Sequence, residues 1–152
     1  MTEVSALRVY LMRSLYLLNF VWLGLSVWPT IIHPAKPFAP LDGVAFSFWA
    51  ALSTLCGLGL RYPLRMLPLL LLQLLYKSVW LLAVAIPLSS AGPLDSTATD
   101  LTKTFVGGVI ADLLVIPWGY VFANYVRTPG DRWKLRNPLS VTTVPTGTPP
   151  SP

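Results

Sequence analysis

Charged residues are scarce in this chain, and their scarcity restricts the class of protein it can be. Of its 152 residues only 11% are charged and 54% are hydrophobic, and the mean hydropathy is +0.62. Because soluble domains are typically about a quarter charged, a water-soluble fold of this length would have to expose much of its apolar surface. The composition therefore predicts a single domain whose solvent is the lipid bilayer.

Residues that commonly carry catalysis or bind metals are also rare. Cys56 is the only cysteine and His33 the only histidine, so the chain cannot form an intrachain disulfide, a thiol redox pair or a histidine-rich metal site. It has no glycine-rich phosphate loop and no dinucleotide-binding glycine pattern, and its basic residues are not interleaved with aromatics as in nucleic-acid binders. We predict no catalytic residue, no metal, no cofactor and no nucleic-acid partner.

Four apolar runs are long enough to cross a bilayer, for which a helix needs about 20 residues. They cover residues 14–32, 44–60, 66–88 and 104–126. The sequence therefore predicts an all-α bundle of four transmembrane helices within residues 1–137, followed by a disordered cytoplasmic tail rich in Pro and Thr over residues 138–152. We expect Thr102 or Thr104 to cap the fourth span, Pro117 to bend it, and the polar stretch 89–100 before it to be a mobile loop.

Positive residues are concentrated on one side of these predicted spans. Two basic residues, Lys36 and Lys103, fall on the other side, whereas eight fall on this one: Arg8, Arg13, Arg61, Arg65, Arg127, Arg132, Lys134 and Arg136. This asymmetry predicts that both termini are cytoplasmic. The last four of these residues are also candidates for binding anionic lipid headgroups, although a role in setting topology is the favoured explanation.

Lys77 and Asp112 are the two charged residues in the middle of predicted spans. An ionised side chain in hydrocarbon costs at least about 2.5–3.5 kcal/mol, so such residues usually pair or line a polar cavity. At a rise of 1.5 Å per residue, Lys77 lies about 16 Å from the outer end of the third span, and Asp112 lies about 12 Å from the outer end of the fourth span. The two levels differ by roughly one helical turn. We predict that they pair inside the membrane, with Gln73 and Asn19 beside them.

Small residues form stripes on two of the predicted helices and mark candidate packing surfaces. On the fourth span these are Gly108, Ala111 and Gly119, and on the second they are Thr54 and Gly57. We expect neighbouring helices to approach closely at these positions.

The segment RYPLRMLPLLLLQLLYKSVWLLAVAIPL (residues 61–88) and the later GGVIADLLVIPWGYV resemble small bacterial four-span integral membrane proteins of unknown function. The resemblance covers residues 10–130. It implies a multi-pass protein of the bacterial cytoplasmic (inner) membrane and brings no catalytic residue with it.

Three functions fit these patterns, and each predicts a different interior. The first is a non-enzymatic structural or interaction component, packed as a homo-oligomer or with a larger membrane partner; it predicts a dry Lys77–Asp112 pair and a conspicuous small-residue face. A small transporter or proton-linked component predicts a water-accessible cavity that reaches Lys77. An enzyme acting on a lipid or quinone predicts a lateral opening lined by polar groups.

Overall fold

The computed structural model describes residues 4–129, and this part of the chain is built from helices. The predicted tail at 138–152 lies outside the described residues. We number the helices α1 (Ala6–Ile32), α2 (Pro40–Arg61), α3 (Leu67–Ala91), α4 (Ser96–Val115) and α5 (Trp118–Val126). The first three are each long and apolar enough to cross a membrane, and α4 with α5 qualifies as one broken span. The prediction of an all-helical protein with several helices long and apolar enough to span a membrane is therefore confirmed for the described residues.

Two pairs of sequential helices form the frame of the molecule. Helix α1 packs along α2, and α3 packs along α4; α1 also contacts α4, and α2 contacts α3. The Tyr16 hydroxyl donates a hydrogen bond to the carbonyl of Pro63, 3.1 Å away in the α2–α3 connection. Ile116, at the end of α4, packs in the same apolar cluster as Met12. The start of α1, the α2–α3 connection and the end of α4 therefore gather at one end of the molecule.

The outer surface of the helices is apolar. Large hydrophobic side chains such as Trp22, Leu25 and Leu114 are each more than 70% exposed. In water a continuous surface of this kind would drive association, whereas in a bilayer it faces lipid tails of the same character. The exposed apolar surface thus agrees with the lipid environment that the composition predicts.

Helices α1 and α3 each contain one π-helical turn, at Asn19–Leu23 and Leu81–Ala85. Such a turn inserts an extra residue and rotates the helix face that follows it. At the first of them the Asn19 side-chain amide donates to the Leu15 carbonyl at 2.8 Å. The side chain of Asn19 is therefore bonded to its own helix.

The α4–α5 junction bends the chain by 72°. Pro117 lies at the break; it has no N–H to donate and its ring cannot follow a continuous helix. The Trp118 indole N–H donates to the Leu113 carbonyl at 2.9 Å across the bend. The predicted bend at Pro117 is confirmed.

The beginning of α4 differs from the prediction. The helix starts at Ser96, within the stretch expected to be a mobile loop, and its N-cap is Asp95, whose carboxylate accepts from the Ala98 N–H at 2.6 Å. Aspartate is among the best N-cap residues because it satisfies a free N–H of the first turn. Thr102 and Thr104 lie inside the helix and donate to the carbonyls of Ala98 and Asp100, so the prediction that either caps it was wrong.

Candidate functional site

The interface between α3 and α4 brings three polar side chains together. Gln73 Nε2 donates to both carboxylate oxygens of Asp112, at 3.2 Å each. One turn after Gln73 on α3, Lys77 lies beside Gly108, which is one turn before Asp112 on the antiparallel α4. A Cβ at Gly108 would come within 3.1 Å of Lys77 Cδ and Cε. We call Gln73, Lys77 and Asp112 the polar cluster. Its geometry fixes the register of α3 against α4.

The direct ion pair predicted for Lys77 and Asp112 is not formed in the structure. The Lys77 nitrogen lies farther than the 4.0 Å limit for an ion pair from the Asp112 carboxylate, and Gln73 is the side chain that contacts it. The physical reason is the one-turn offset between the two charges: Gln73 lies at the level of Asp112, and Lys77 lies at the level of Gly108. The ammonium instead occupies the space left by the missing side chain of Gly108.

The polar cluster is buried. Asp112 is 0% exposed, Gln73 1% and Lys77 7%. On the side of the α2–α3 connection it is covered by fully buried apolar or aromatic residues: Met12, Tyr16, Leu67, Leu70 and Ile116. The cluster is therefore closed from that end by the best-packed part of the molecule.

On the opposite side of the polar cluster lies an aromatic layer. Phe105 of α4 makes edge-to-face contacts with Tyr76 and Trp80 of α3, at centroid distances of 5.7 and 5.0 Å, and Tyr76 contacts Phe48 of α2 at 5.2 Å. Such contacts add about 0.5–1.5 kcal/mol each beyond burial. Together with the apolar cluster they place the polar cluster between an apolar and an aromatic layer.

One atom of the polar cluster has unused bonding capacity. The Gln73 Oε1 is buried and accepts no hydrogen bond from any residue in the described part of the chain. A buried acceptor without a donor costs about 1–3 kcal/mol, so this oxygen reduces the stability of the interior in the absence of a donor.

The other residues predicted for the site have separate surroundings. Asn19 is bonded to its own helix and does not extend the polar cluster. Gly57 faces the Phe20 ring, whose nearest atoms would lie 3.1 and 3.2 Å from an added Cβ, and Ala111 packs against the apolar core. Gly119 follows the bend at Pro117 and has nothing among the described residues within 4 Å of an added Cβ, so its role as a packing residue stays a prediction.

The tightest helix contact was not predicted. Gly59 of α2 faces the ring of Tyr16, and an added Cβ would come within 2.6 Å of Tyr16 Cγ and Cε1. Tyr16 is fully buried and its hydroxyl is held by Pro63. The two glycines of the GLGL sequence at 57–60 are the signal that would have identified this contact.

A groove of about 570 Å³ lies between the C-terminal half of α1 and the middle of α2. Trp28 and Ile31 of α1 form one wall. The other wall, on α2, consists mainly of small side chains: Ser47, Ala50, Ala51, Thr54 and Leu55. We call it the small-residue groove. Thr54, predicted as a packing residue, lines it, and no member of the polar cluster does.

Arginines lie over aromatic rings at the end of the molecule where the α2–α3 connection is found. Arg61 and Arg65 both lie over the Tyr62 ring, at 5.4 and 5.8 Å. Arg127, a predicted lipid-headgroup residue, lies over Phe122 at 5.3 Å. The other three predicted headgroup residues, Arg132, Lys134 and Arg136, lie outside the described residues. This combination of arginine and aromatic rings is typical of a membrane–water interface.

Within residues 4–129, no three His, Cys, Asp or Glu side chains come together in a way that could hold a metal ion. Comparison with protein-family models, with curated proteins and with solved structures finds no match to this chain. Function must therefore be argued from the geometry of the chain itself.

Proposed function

We propose that this chain is a four-span protein of the bacterial cytoplasmic membrane, with α4 and α5 forming the fourth span and both termini in the cytoplasm. The support is the distribution of charge in three dimensions. The Tyr16–Pro63 hydrogen bond and the apolar cluster that contains both Met12 and Ile116 bring Arg8, Arg13, Arg61 and Arg65 to one end of the helices. Positive residues of short loops mark the cytoplasmic side.

Its proposed role is non-enzymatic: a small structural or interaction component that packs with itself or with a larger membrane partner. The observation that carries this proposal is the enclosure of the polar cluster. Its three residues are at most 7% exposed and lie between an apolar and an aromatic layer. Charges enclosed in this way hold two helices in register, since a shift of α3 by one turn would separate Gln73 from Asp112 and move Lys77 away from Gly108.

The small-residue groove supports the interaction part of the proposal. Small side chains at Ser47, Ala50 and Ala51 allow helix backbones to approach closely, which is how transmembrane helices associate in the absence of a hydrophobic driving force. The groove is lined by residues of α1 and α2 only, whereas Gln73, Lys77 and Asp112 lie on α3 and α4. A helix packed there would not alter the interior.

A small transporter or proton-linked component is the second candidate. The observation in its favour is the unused bonding capacity of the polar cluster, where Gln73 Oε1 has no donor and Lys77 is not in contact with Asp112. Transport would require water to reach these groups from one side of the membrane.

Cys56 is a natural probe that separates these two functions. It is the only cysteine, it is 0% exposed, and it lies in the apolar core of α2. We expect Cys56 to stay unmodified by a charged methanethiosulfonate reagent applied to both faces of membrane vesicles, and to react once the protein is unfolded in SDS. As the matched control, Leu41→Cys in a Cys56→Ser background places a thiol at a position that is 83% exposed and should react at once. Rapid modification of Cys56 in intact vesicles would favour transport.

Assembly is tested by a photo-activatable cross-linking side chain at position 51. We expect it to yield one product of defined mass in the membrane, either twice the 16.7 kDa of the chain or the chain plus one partner. The same side chain at Leu82, which is 66% exposed on α3, should give none. A uniform smear from both positions, or no product from position 51, would contradict the interaction role.

A further inference from the structure

The three members of the polar cluster each leave hydrogen-bonding capacity unused. Gln73 Oε1 has no donor among the described residues. The Asp112 carboxylate, with about four acceptor positions, shares the single amide nitrogen of Gln73. Lys77, with three N–H donors, is 7% exposed and has no carboxylate within 4.0 Å among the described residues; unlike Gln73 Oε1, its nitrogen is not fully buried. The cluster therefore contains a buried acceptor without a donor, an under-used anion and a cation without a carboxylate partner at adjacent levels.

We infer that the polar cluster binds one water molecule, which bridges Lys77 to Asp112. Water donates two hydrogen bonds and accepts two, so it can donate to Gln73 Oε1 and to an Asp112 oxygen while accepting from the Lys77 ammonium. Buried waters in proteins typically make about three such bonds to polar groups that are otherwise unsatisfied. A metal cation is disfavoured there by the ammonium, and an anion by the carboxylate, which leaves a neutral molecule with both donors and acceptors.

The water explains how two charges one turn apart remain inside a membrane protein. A bridging water is nearly as favourable in enthalpy as a direct hydrogen bond, and it gives Gln73 Oε1 the donor that it lacks. The inference concerns only the interior and does not depend on the proposed role of the chain as an interaction component.

The test uses the fact that Gln73 is the only glutamine in the sequence. In the full-length protein in lipid vesicles, ¹⁵N-glutamine labelling gives a single side-chain amide signal for solid-state NMR. We expect a cross-peak between this amide and water that survives a soluble gadolinium chelate, which suppresses signals from water in contact with bulk solvent. Lys77→Met should abolish the cross-peak, and the control Lys103→Met, at an exposed position of α4, should leave it unchanged.

Three results would overturn the inference. The first is a cross-peak from the amide to the Lys77 ammonium with none to water, which would mean that lysine itself fills the site. The second is the absence of any cross-peak. The third is a water cross-peak that the chelate suppresses, which would indicate a solvent-connected channel and would count against the proposed function as well. The wild-type spectrum alone distinguishes these results, so the test does not depend on the variants folding.

Discussion

Replacing Lys77 with aspartate is expected to remove most of the folded protein from the membrane. The new carboxylate would lie one helical turn from Asp112, in an interior where Asp112 is 0% exposed and Gln73 is its only side-chain hydrogen-bond partner among residues 4–129. The substitution would remove the only cation near the buried Asp112 carboxylate among the described residues and add a second negative charge, and like charges repel far more strongly in a protein interior than in water. We expect strongly reduced membrane expression and a large drop in the thermal midpoint in detergent.

Lys103→Asp is the matched control for this prediction. It makes the same substitution at an exposed position on α4, where surface changes usually stay within about 0.5 kcal/mol. Lys77→Met removes the charge and keeps most of the unbranched side chain, so its thermal midpoint should fall between those of the two aspartate variants. If Lys77→Asp were as stable as Lys103→Asp, Lys77 would have to face solvent or a partner, and the enclosed cluster would be disproved.

Gly59→Val is expected to produce the second large effect, through packing alone. An added Cβ at Gly59 would come within 2.6 Å of Tyr16 Cγ and Cε1. The Tyr16 ring cannot retreat because it is fully buried and its hydroxyl is bonded to the Pro63 carbonyl at 3.1 Å. Overpacking a core typically costs about 1–3 kcal/mol, and we expect the upper end of that range as a lower thermal midpoint in detergent.

Valine substitutions at two other glycines serve as comparisons for the effect of Gly59→Val on the thermal midpoint. Gly107→Val places the same side chain where nothing lies within 4 Å, and it should be close to neutral. Gly57→Val meets Phe20, which is 43% exposed and can swing aside, so its cost should be intermediate. Shortening the opposing side chain in Gly59→Val/Tyr16→Ala should recover part of the loss caused by the clash. Equal midpoints for the Gly59 and Gly107 variants would show that α1 and α2 do not pack as described.

Hydropathy and charge in the sequence were sufficient to predict an all-helical chain with several helices long and apolar enough to span a membrane. Helix rise placed Lys77 and Asp112 roughly one turn apart, with Lys77 farther than Asp112 from the α3–α4 connection. The structure has an offset of one turn in the opposite direction, with Lys77 beside Gly108 and Gln73 beside Asp112, because α4 begins at Ser96 rather than near Thr104. Which side chain contacts Asp112 did not follow from depth. It depends on the register of α3 against α4, and that register is a property of two helices together.

The differences between the sequence patterns and the structure have the same origin. Gly119 belongs to a small-residue stripe on an ideal helix, but the 72° break at Pro117 removes it from that stripe. Asn19 shares a face with other polar residues, yet its amide bonds the carbonyl of Leu15 one turn before it. The importance of Gly59 depends on Tyr16, which lies more than forty residues earlier in the chain. Helix patterns identify surfaces, and only tertiary packing shows which surfaces meet.

The charge-reversal cycle tests the central claim, an enclosed polar cluster that holds α3 to α4, most directly. It compares Lys77→Asp, Asp112→Lys and the double swap by membrane expression and by thermal midpoint in detergent. The account expects both single changes to be strongly destabilising and the double swap to recover a substantial part of the loss, because the swap restores one positive and one negative charge on adjacent turns of the interface. A double swap that is as unstable as the sum of the two single changes, or single changes that leave the midpoint unaltered, would contradict it.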